Sequence, residues 1–89
     1  MNIKISKRFV KDTQAITDQR ILAKIRKIII EAQAVNSVYE LSNITELSGY
    51  SCFYRIKFDY RYRIGLYSEG ENLEFLRVDN REDFYKKFP

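Results

Sequence analysis

The chain has 89 residues, of which 45% are hydrophobic and 31% charged, with seven tyrosines and six phenylalanines. This length and composition predict one folded domain over residues 1–89 with one modest core, and they exclude a disordered chain or a second domain. The formal net charge is +4. A moderate basic bias of this kind is typical of proteins whose partners are nucleic acids or acidic proteins.

Several residue types that support common chemistries are absent or rare. The sequence has no histidine and a single cysteine, Cys52, so a histidine general base is excluded and a zinc site lacks its usual ligands. No glycine motif for nucleotides or for a serine hydrolase is present, and we expect no metal and no cofactor. The N-terminus also lacks the apolar run of a signal peptide, and no segment could span a membrane. We therefore expect a cytoplasmic protein without membrane contact.

The N-terminal half predicts a strand followed by a helical hairpin. Residues 2–6 alternate apolar and polar side chains, as a short strand does. Ser6 can cap a helix over roughly residues 7–16, and Thr17 and Asp18 offer capping oxygens to a second helix. Apolar residues at spacings of three and four predict one buried face on this second helix. They are Ile21, Leu22, Ile25, Ile28, Ile29 and Ala32.

The C-terminal half predicts three antiparallel strands. In residues 53–59 and 61–67, apolar side chains alternate with largely basic ones, so each strand has an apolar face and a basic face. Residues 68–72 have the glycine and asparagine of a hairpin turn. They lead to a third strand, 73–78, which alternates less cleanly and is predicted to be buried on both faces.

The predicted order of elements is β-α-α-β-β-β. Residues 34–50 show no periodicity and are predicted to connect the helices to the strands, and residues 81–88 predict a short closing helical turn. Two helices followed by a meander of three strands predict an α+β fold. In this fold the helices cover one face of the sheet, and the basic face stays open.

The basic residues of the strand region form a candidate functional surface. Several cations on one sheet face cost stability unless an anion offsets them, and the guanidinium group fits phosphate oxygens. Aromatic rings nearby could stack on exposed bases. The basic residues are Arg55, Lys57, Arg61, Arg63, Arg77 and Arg81. On spacing alone, a polar sheet face in water explains them equally well.

Taken as one unit, the segments LSGYSCFYRIKFDYRYRIGLY and FLRVDNREDFY resemble the RelE/ParE superfamily of toxins from bacterial type II toxin–antitoxin systems. The likeness includes ISKRFVKD near the N-terminus and extends over nearly the whole chain. It implies a RelE-like fold and a cognate antitoxin as partner. For the RelE branch it also implies an mRNA interferase, an endoribonuclease that cuts messenger RNA on the ribosome and so inhibits translation.

The resemblance further implies roles for individual residues. Arg55 and Lys57 match paired basic positions of one strand, Arg63 matches an arginine of the next, and Arg81 and Tyr85 match the arginine and tyrosine after the third. The implied reaction is metal-independent attack of the RNA's own 2′-hydroxyl on the adjacent phosphate. Lys57 is the candidate base, because neighbouring cations disfavour its charged form. Arg55 and Arg63 would hold the phosphate, Arg81 would stabilise the leaving group, and Tyr85 would stack on or orient the nucleotide.

Other positions keep alternatives open. Arg61 and Arg77 are expected to add substrate contacts, whereas Asp79 and Asn80 stand where the family often has glycine followed by histidine or lysine. One alternative is a ParE-like toxin that inhibits DNA gyrase by binding. Another is a degenerate member that only binds RNA or a protein. The sequence carries no signal for an oligomeric state.

Overall fold

The computed structural model describes all 89 residues and is built around a five-stranded sheet. The strands lie in the order β1-β5-β4-β3-β2, with β1 parallel to β5 and the other neighbours antiparallel. No helix is both long enough and apolar enough to cross a membrane. The elements are β1 (Asn2–Ile5), α1 (Lys7–Gln14), α2 (Gln19–Ala34), β2 (Ile44–Glu46), β3 (Phe53–Phe58), β4 (Tyr62–Glu69), β5 (Asn72–Asn80) and α3 (Arg81–Lys87).

The predicted α+β class is confirmed, and the six predicted elements correspond to β1, α1, α2, β3, β4 and β5. One strand, β2, was missed. β2 lies inside the segment 34–50 that was predicted as a connection, after a 3-10 turn over Val38–Glu40. Its three residues pair with Tyr54 to Ile56 of β3. A strand of three residues is too short to show an alternating pattern, so its pairing depends on the sheet beside it.

The predicted helix caps are confirmed. The Ser6 hydroxyl accepts a hydrogen bond from the Phe9 backbone N–H at 3.0 Å, and Asp18 accepts one from the Arg20 N–H at 2.9 Å. Ser6 also donates from its side chain to the Leu76 carbonyl at 3.0 Å. The turn between β1 and α1 is therefore fixed to β5 as well as capped.

The main core lies between the first two helices, α1 and α2, and the apolar face of the sheet. The predicted alternation in β3 is confirmed, since Tyr54, Ile56 and Phe58 are buried. From the predicted apolar stripe of α2, Ile21, Ile25 and Ala32 are buried, and Leu22, Ile28 and Ile29 pack partly buried against them. Burying a side chain of this size stabilises the fold by roughly 1.5–3 kcal/mol.

The prediction of an open basic face is wrong, because α3 packs on that face. Phe84 and Phe88 are buried outside the main core, and the Phe88 ring lies against Gly65 of β4. A Cβ at Gly65 would be 2.6 Å from two atoms of that ring. The glycine thus allows the helix to approach the sheet. Part of the basic face is consequently a covered site rather than an open surface.

Candidate functional site

Four of the predicted residues meet where α3 covers the sheet. In the register of β3 and β4, Arg55 lies opposite Gly65 and Lys57 opposite Arg63. Opposite residues of antiparallel strands share a face, so the three basic side chains project to the side on which α3 packs. From α3, Tyr85 completes the group. Arg55, Lys57, Arg63 and Tyr85 are called the central cluster below.

Arg55 and Tyr85 are in direct contact. Arg55 Nη1 donates a hydrogen bond to the Tyr85 hydroxyl at 2.6 Å, and the guanidinium carbon lies 5.8 Å from the centre of the tyrosine ring. Tyr85 is half exposed, so its ring remains accessible from solvent. Burial by itself would raise the pKa of the Tyr85 hydroxyl. Hydrogen bonding and charge from Arg63 and Arg55 outweigh burial, and the pKa is lowered.

Arg63 is the buried member of the central cluster, with 7% of its surface exposed. Its Nη1 donates to the backbone carbonyls of Tyr60 at 3.1 Å and Tyr62 at 2.9 Å. The Nε groups of Arg63 and Arg55 are buried and have no hydrogen-bond partner. Buried donors are nearly always paired in folded proteins. Two unpaired N–H groups on one face are therefore exceptional, and the charges of the two guanidinium groups make this face attractive to an anion such as a phosphate.

Lys57 is exposed and makes no ion pair. Lys57 also lines a cleft of about 310 Å³ between α2 and the sheet, together with Lys24, Lys27 and Glu31. An amine without a carboxylate partner is free to approach a substrate. Its position opposite Arg63 places it next to the guanidinium charges that attract a phosphate.

Arg61 and Arg81 form a second basic group at the end of the β3–β4 hairpin. Both are exposed, and the Arg81 backbone N–H donates to the Arg61 carbonyl at 2.7 Å. The Arg81 guanidinium carbon lies 5.9 Å from the centre of the Tyr60 ring. Neither side chain makes a hydrogen bond or a cation–π contact with Tyr85. The structure thus divides all the predicted site residues except Arg77 between the central cluster and this hairpin end.

Arg77 is not brought together with either group. Its Nε and Nη2 donate to the two carboxylate oxygens of Asp12 at 2.9 and 3.3 Å, and Asp12 also accepts from the Val78 backbone N–H at 3.0 Å. Only 15% of the Arg77 side chain and 11% of the Asp12 side chain are exposed. The guanidinium of Arg77 is therefore occupied in joining α1 to β5.

Asp79 and Asn80, the two departures from the family pattern, both have structural contacts. Asp79 accepts a hydrogen bond from Lys87 at 2.8 Å, which raises the pKa of that lysine. Asn80 caps α3, because its side-chain oxygen accepts from the Asp83 N–H at 3.0 Å. The charge of Asp79 is thereby balanced within the protein, and both residues help to place α3 on the sheet.

Sequence reasoning did not single out Tyr60, which follows Asp59 between β3 and β4. Both residues have positive φ, 48° for Asp59 and 59° for Tyr60. Tyrosine rarely adopts this conformation, so the dipeptide carries no turn signature. Only the position between two predicted strands could have pointed to it.

No family model matches the chain. A search of curated proteins finds Toxin RelE3 of Methanocaldococcus jannaschii, which is 37% identical over 90 residues and matched over the full length of both chains. The chain belongs to the RelE family of toxins. The family predicted from the sequence is thus confirmed.

Solved structures agree with this assignment. The toxin fold in the crystal structure of the RelB–RelE antitoxin–toxin complex from Methanococcus jannaschii matches with a TM-score of 0.82 and 35% identity, over 97% of this chain and 99% of that one. The crystal structure of YafQ from E. coli matches with a TM-score of 0.66 over 92% and 94% of the two chains. At 15% identity, YafQ shows the shared fold alone.

Proposed function

We propose that this RelE-family toxin is a ribosome-dependent endoribonuclease that stops translation by cutting messenger RNA. The observation that carries the proposal is the central cluster. Two arginines with unpaired buried Nε groups and a lysine without an ion pair share one sheet face, and a half-exposed tyrosine of α3 lies beside them. Such a site offers cationic donors to a phosphate, an amine that can exchange a proton, and a ring that can stack on a base.

The reaction that fits these groups is attack of the 2′-hydroxyl on the adjacent phosphorus. Lys57 takes the proton of the hydroxyl, because its amine is exposed, has no carboxylate partner and projects from the strand position opposite Arg63. The two guanidinium groups stabilise the negative charge that develops on the phosphate oxygens. Tyr85 orients the nucleotide at the cut. The P–O5′ bond then breaks, the 5′ oxygen takes a proton from water to become the hydroxyl of the downstream fragment, and a cyclic phosphate is left on the upstream fragment.

Arg61 and Arg81 at the hairpin end act on the leaving group and on the RNA beyond it. Arg81 stabilises the departing 5′ oxygen through its charge, because a guanidinium does not give up its proton in proteins. Arg61 adds a contact to the RNA backbone. Arg77 is assigned to the fold rather than to the substrate, since Asp12 already accepts its hydrogen bonds.

We also infer a cognate antitoxin as the protein partner. Among the structural relatives are a RelB–RelE complex and DinJ–YafQ complexes. The net charge of +4 and the basic site suit an acidic segment that would compete with RNA for the same side chains.

The test is to express the protein in growing bacteria and follow, in the first minutes, incorporation of labelled methionine into protein and of labelled thymidine into DNA. An endoribonuclease stops methionine incorporation first. Lys57→Ala should lose the effect, whereas Lys4→Ala, which removes an exposed lysine on β1, should keep it. If thymidine incorporation stops first, the protein acts as a ParE-like gyrase inhibitor and the proposal is wrong.

A further inference from the structure

The tip of the β3–β4 hairpin presents an aromatic ring to solvent. Tyr60 is 82% exposed, more than any other large hydrophobic residue of the chain. It follows Asp59, and both residues adopt the left-handed conformation that non-glycine residues rarely use. Tight hairpin turns commonly need two successive residues with positive φ, but a tyrosine in such a position and the exposure of its ring are both unfavourable for folding alone. Conformations of this kind concentrate at binding and catalytic sites.

Three contacts fix the tip in place. The Tyr60 carbonyl accepts a hydrogen bond from buried Arg63 at 3.1 Å, and Asp59 accepts one from Lys24 of α2 at 2.5 Å. The Arg61 carbonyl accepts the backbone N–H of Arg81. The exposed ring is therefore presented on a fixed backbone. Through Arg63, this backbone is directly connected to the central cluster.

The Tyr60 ring borders a polar cleft of about 320 Å³. The residues lining it are Tyr60, Arg61, Asn80, Arg81, Glu82 and Asp83, and Tyr60 is the only hydrophobic one. A groove for a protein segment would offer a larger apolar lining. An isolated ring beside guanidinium groups is instead typical of sites that stack single-stranded bases while contacting the backbone.

The acidic residues of the cleft do not oppose this interpretation. Asp83 accepts a hydrogen bond from the Asn80 side chain at 3.0 Å and lies 4.0 Å from Lys86. Glu82 makes no ion pair. A free carboxylate at the edge of a stacked base can accept a hydrogen bond from an exocyclic amino group.

We propose that Tyr60 stacks on a base of the messenger RNA that flanks the cleaved nucleotide, while Arg81 and Arg61 contact the phosphate next to that base. Tyr60 is then a second aromatic binding residue beside Tyr85. The inference rests on the proposed function and deepens it. It gives the hairpin tip the role of binding the nucleotide that flanks the cleavage site.

The first test measures cleavage of a defined messenger on purified ribosomes by wild type, Tyr60→Ala and Tyr60→Phe. Loss of one stacking contact should raise KM for the programmed ribosome roughly 5- to 100-fold in Tyr60→Ala. Tyr60→Phe keeps the ring and should stay within twofold of wild type. Tyr50→Ala removes another exposed tyrosine, away from the cleft, and serves as the matched control. Tyr60→Ala within twofold of wild type would overturn the inference.

A second measurement decides the matter if the wild type cuts nothing. A short single-stranded RNA with 2-aminopurine loses fluorescence when that base stacks on a ring. Quenching by wild type and Tyr60→Phe but not by Tyr60→Ala would support the stacking role, even though the nuclease proposal had failed. Absence of quenching by the wild type would then overturn the inference as well.

The antitoxin complex provides the remaining comparison. If Tyr60→Ala weakens binding of the antitoxin at least tenfold while cleavage is unchanged, the ring serves protein docking. That result would also overturn the proposed contact with RNA.

Discussion

Arg63 uses Nη1 to hold the hairpin tip and leaves its Nε without a partner. Tyr85 and Arg55 share a second hydrogen bond at the same site. The two arginines are thus held by contacts within the protein, and the half-exposed Tyr85 ring is the part of this group that a substrate can reach. Arg63→Lys would keep the charge but replace the planar guanidinium, whose Nη1 donates to both carbonyls, by an ammonium group of different geometry.

The lowered pKa of Tyr85 can be checked directly by titration. Of the seven tyrosines, Tyr85 has a lowered pKa, while those of Tyr54 and Tyr67 are raised by hydrogen bonds to Tyr39 and Glu69 respectively. Tyr85 should thus ionise at a lower pH than an unperturbed tyrosine. In Tyr85→Phe, the absorbance of ionised tyrosine should begin to increase at a higher pH than in wild type. The same onset in both proteins would contradict the Arg55–Tyr85–Arg63 geometry.

Residue positions were predicted unevenly from the sequence. Alternation along two strands placed Arg55, Lys57 and Arg63 on one face, because strand periodicity is a local property. The partner of Arg77 could not be predicted in this way, since Asp12 lies 65 residues earlier in the chain. Contacts at this separation depend on the tertiary fold and leave no local pattern.

Among the secondary-structure elements, the packing of α3 against β4 determines the shape of the site. Gly65 makes room for the Phe88 ring, and α3 then carries Tyr85 to Arg55. The sequence predicted a closing helical turn but not its packing. The alternation of residues 61–67 puts Gly65 on the basic face of its strand, where nothing local indicates that a helix will cover it.

Gly65→Ala should destabilise the protein by about 1–3 kcal/mol, because its Cβ would meet the Phe88 ring at 2.6 Å. Urea unfolding measures the loss. Adding Phe88→Ala removes the clash, so the double variant should be less destabilised than the sum of the two single changes. Strict additivity would contradict the packing of α3 described above.

The junction of α1 with β5 gives a second prediction for elements. Asp12→Ala leaves the Arg77 guanidinium and the Val78 N–H without their partner, and we expect a loss of about 2–4 kcal/mol in the free energy of unfolding. Lys86→Ala breaks an exposed ion pair with Asp83 and should change the free energy of unfolding by no more than about 0.5 kcal/mol. Equal effects of the two changes in urea unfolding would count against a structural role for Asp12.

At the scale of the whole molecule, the fold separates a core from a site. The helices α1 and α2 cover one sheet face, while α3 covers only part of the other. Lys57, Arg61 and Arg81 remain exposed. The fold class and the family could be predicted because periodicity and motif order extend over the chain. The short strand β2 and the coverage of the basic face could not, since both depend on packing between distant segments.

Binding of single-stranded RNA by the whole protein should weaken with salt, because basic side chains displace cations from the phosphates. Arg61→Gln should reduce the slope of log affinity against log salt by roughly 0.7, the value for one lost phosphate contact. Lys4→Gln removes the same charge from β1 and should leave the slope unchanged. Equal changes in slope for both variants would mean that net charge, rather than the site, governs binding.

The cluster of Arg55, Lys57, Arg63 and Tyr85 is proposed to cleave messenger RNA by 2′-hydroxyl attack. The most direct test incubates the purified protein with ribosomes programmed with a defined messenger, maps the cuts by primer extension and analyses the new RNA ends. We predict cuts at the codon in the ribosomal A site, a cyclic phosphate on the upstream fragment, and a rate at least 100-fold lower in Lys57→Ala. No cuts by folded wild type, or cuts that persist unchanged in Lys57→Ala, would contradict the account.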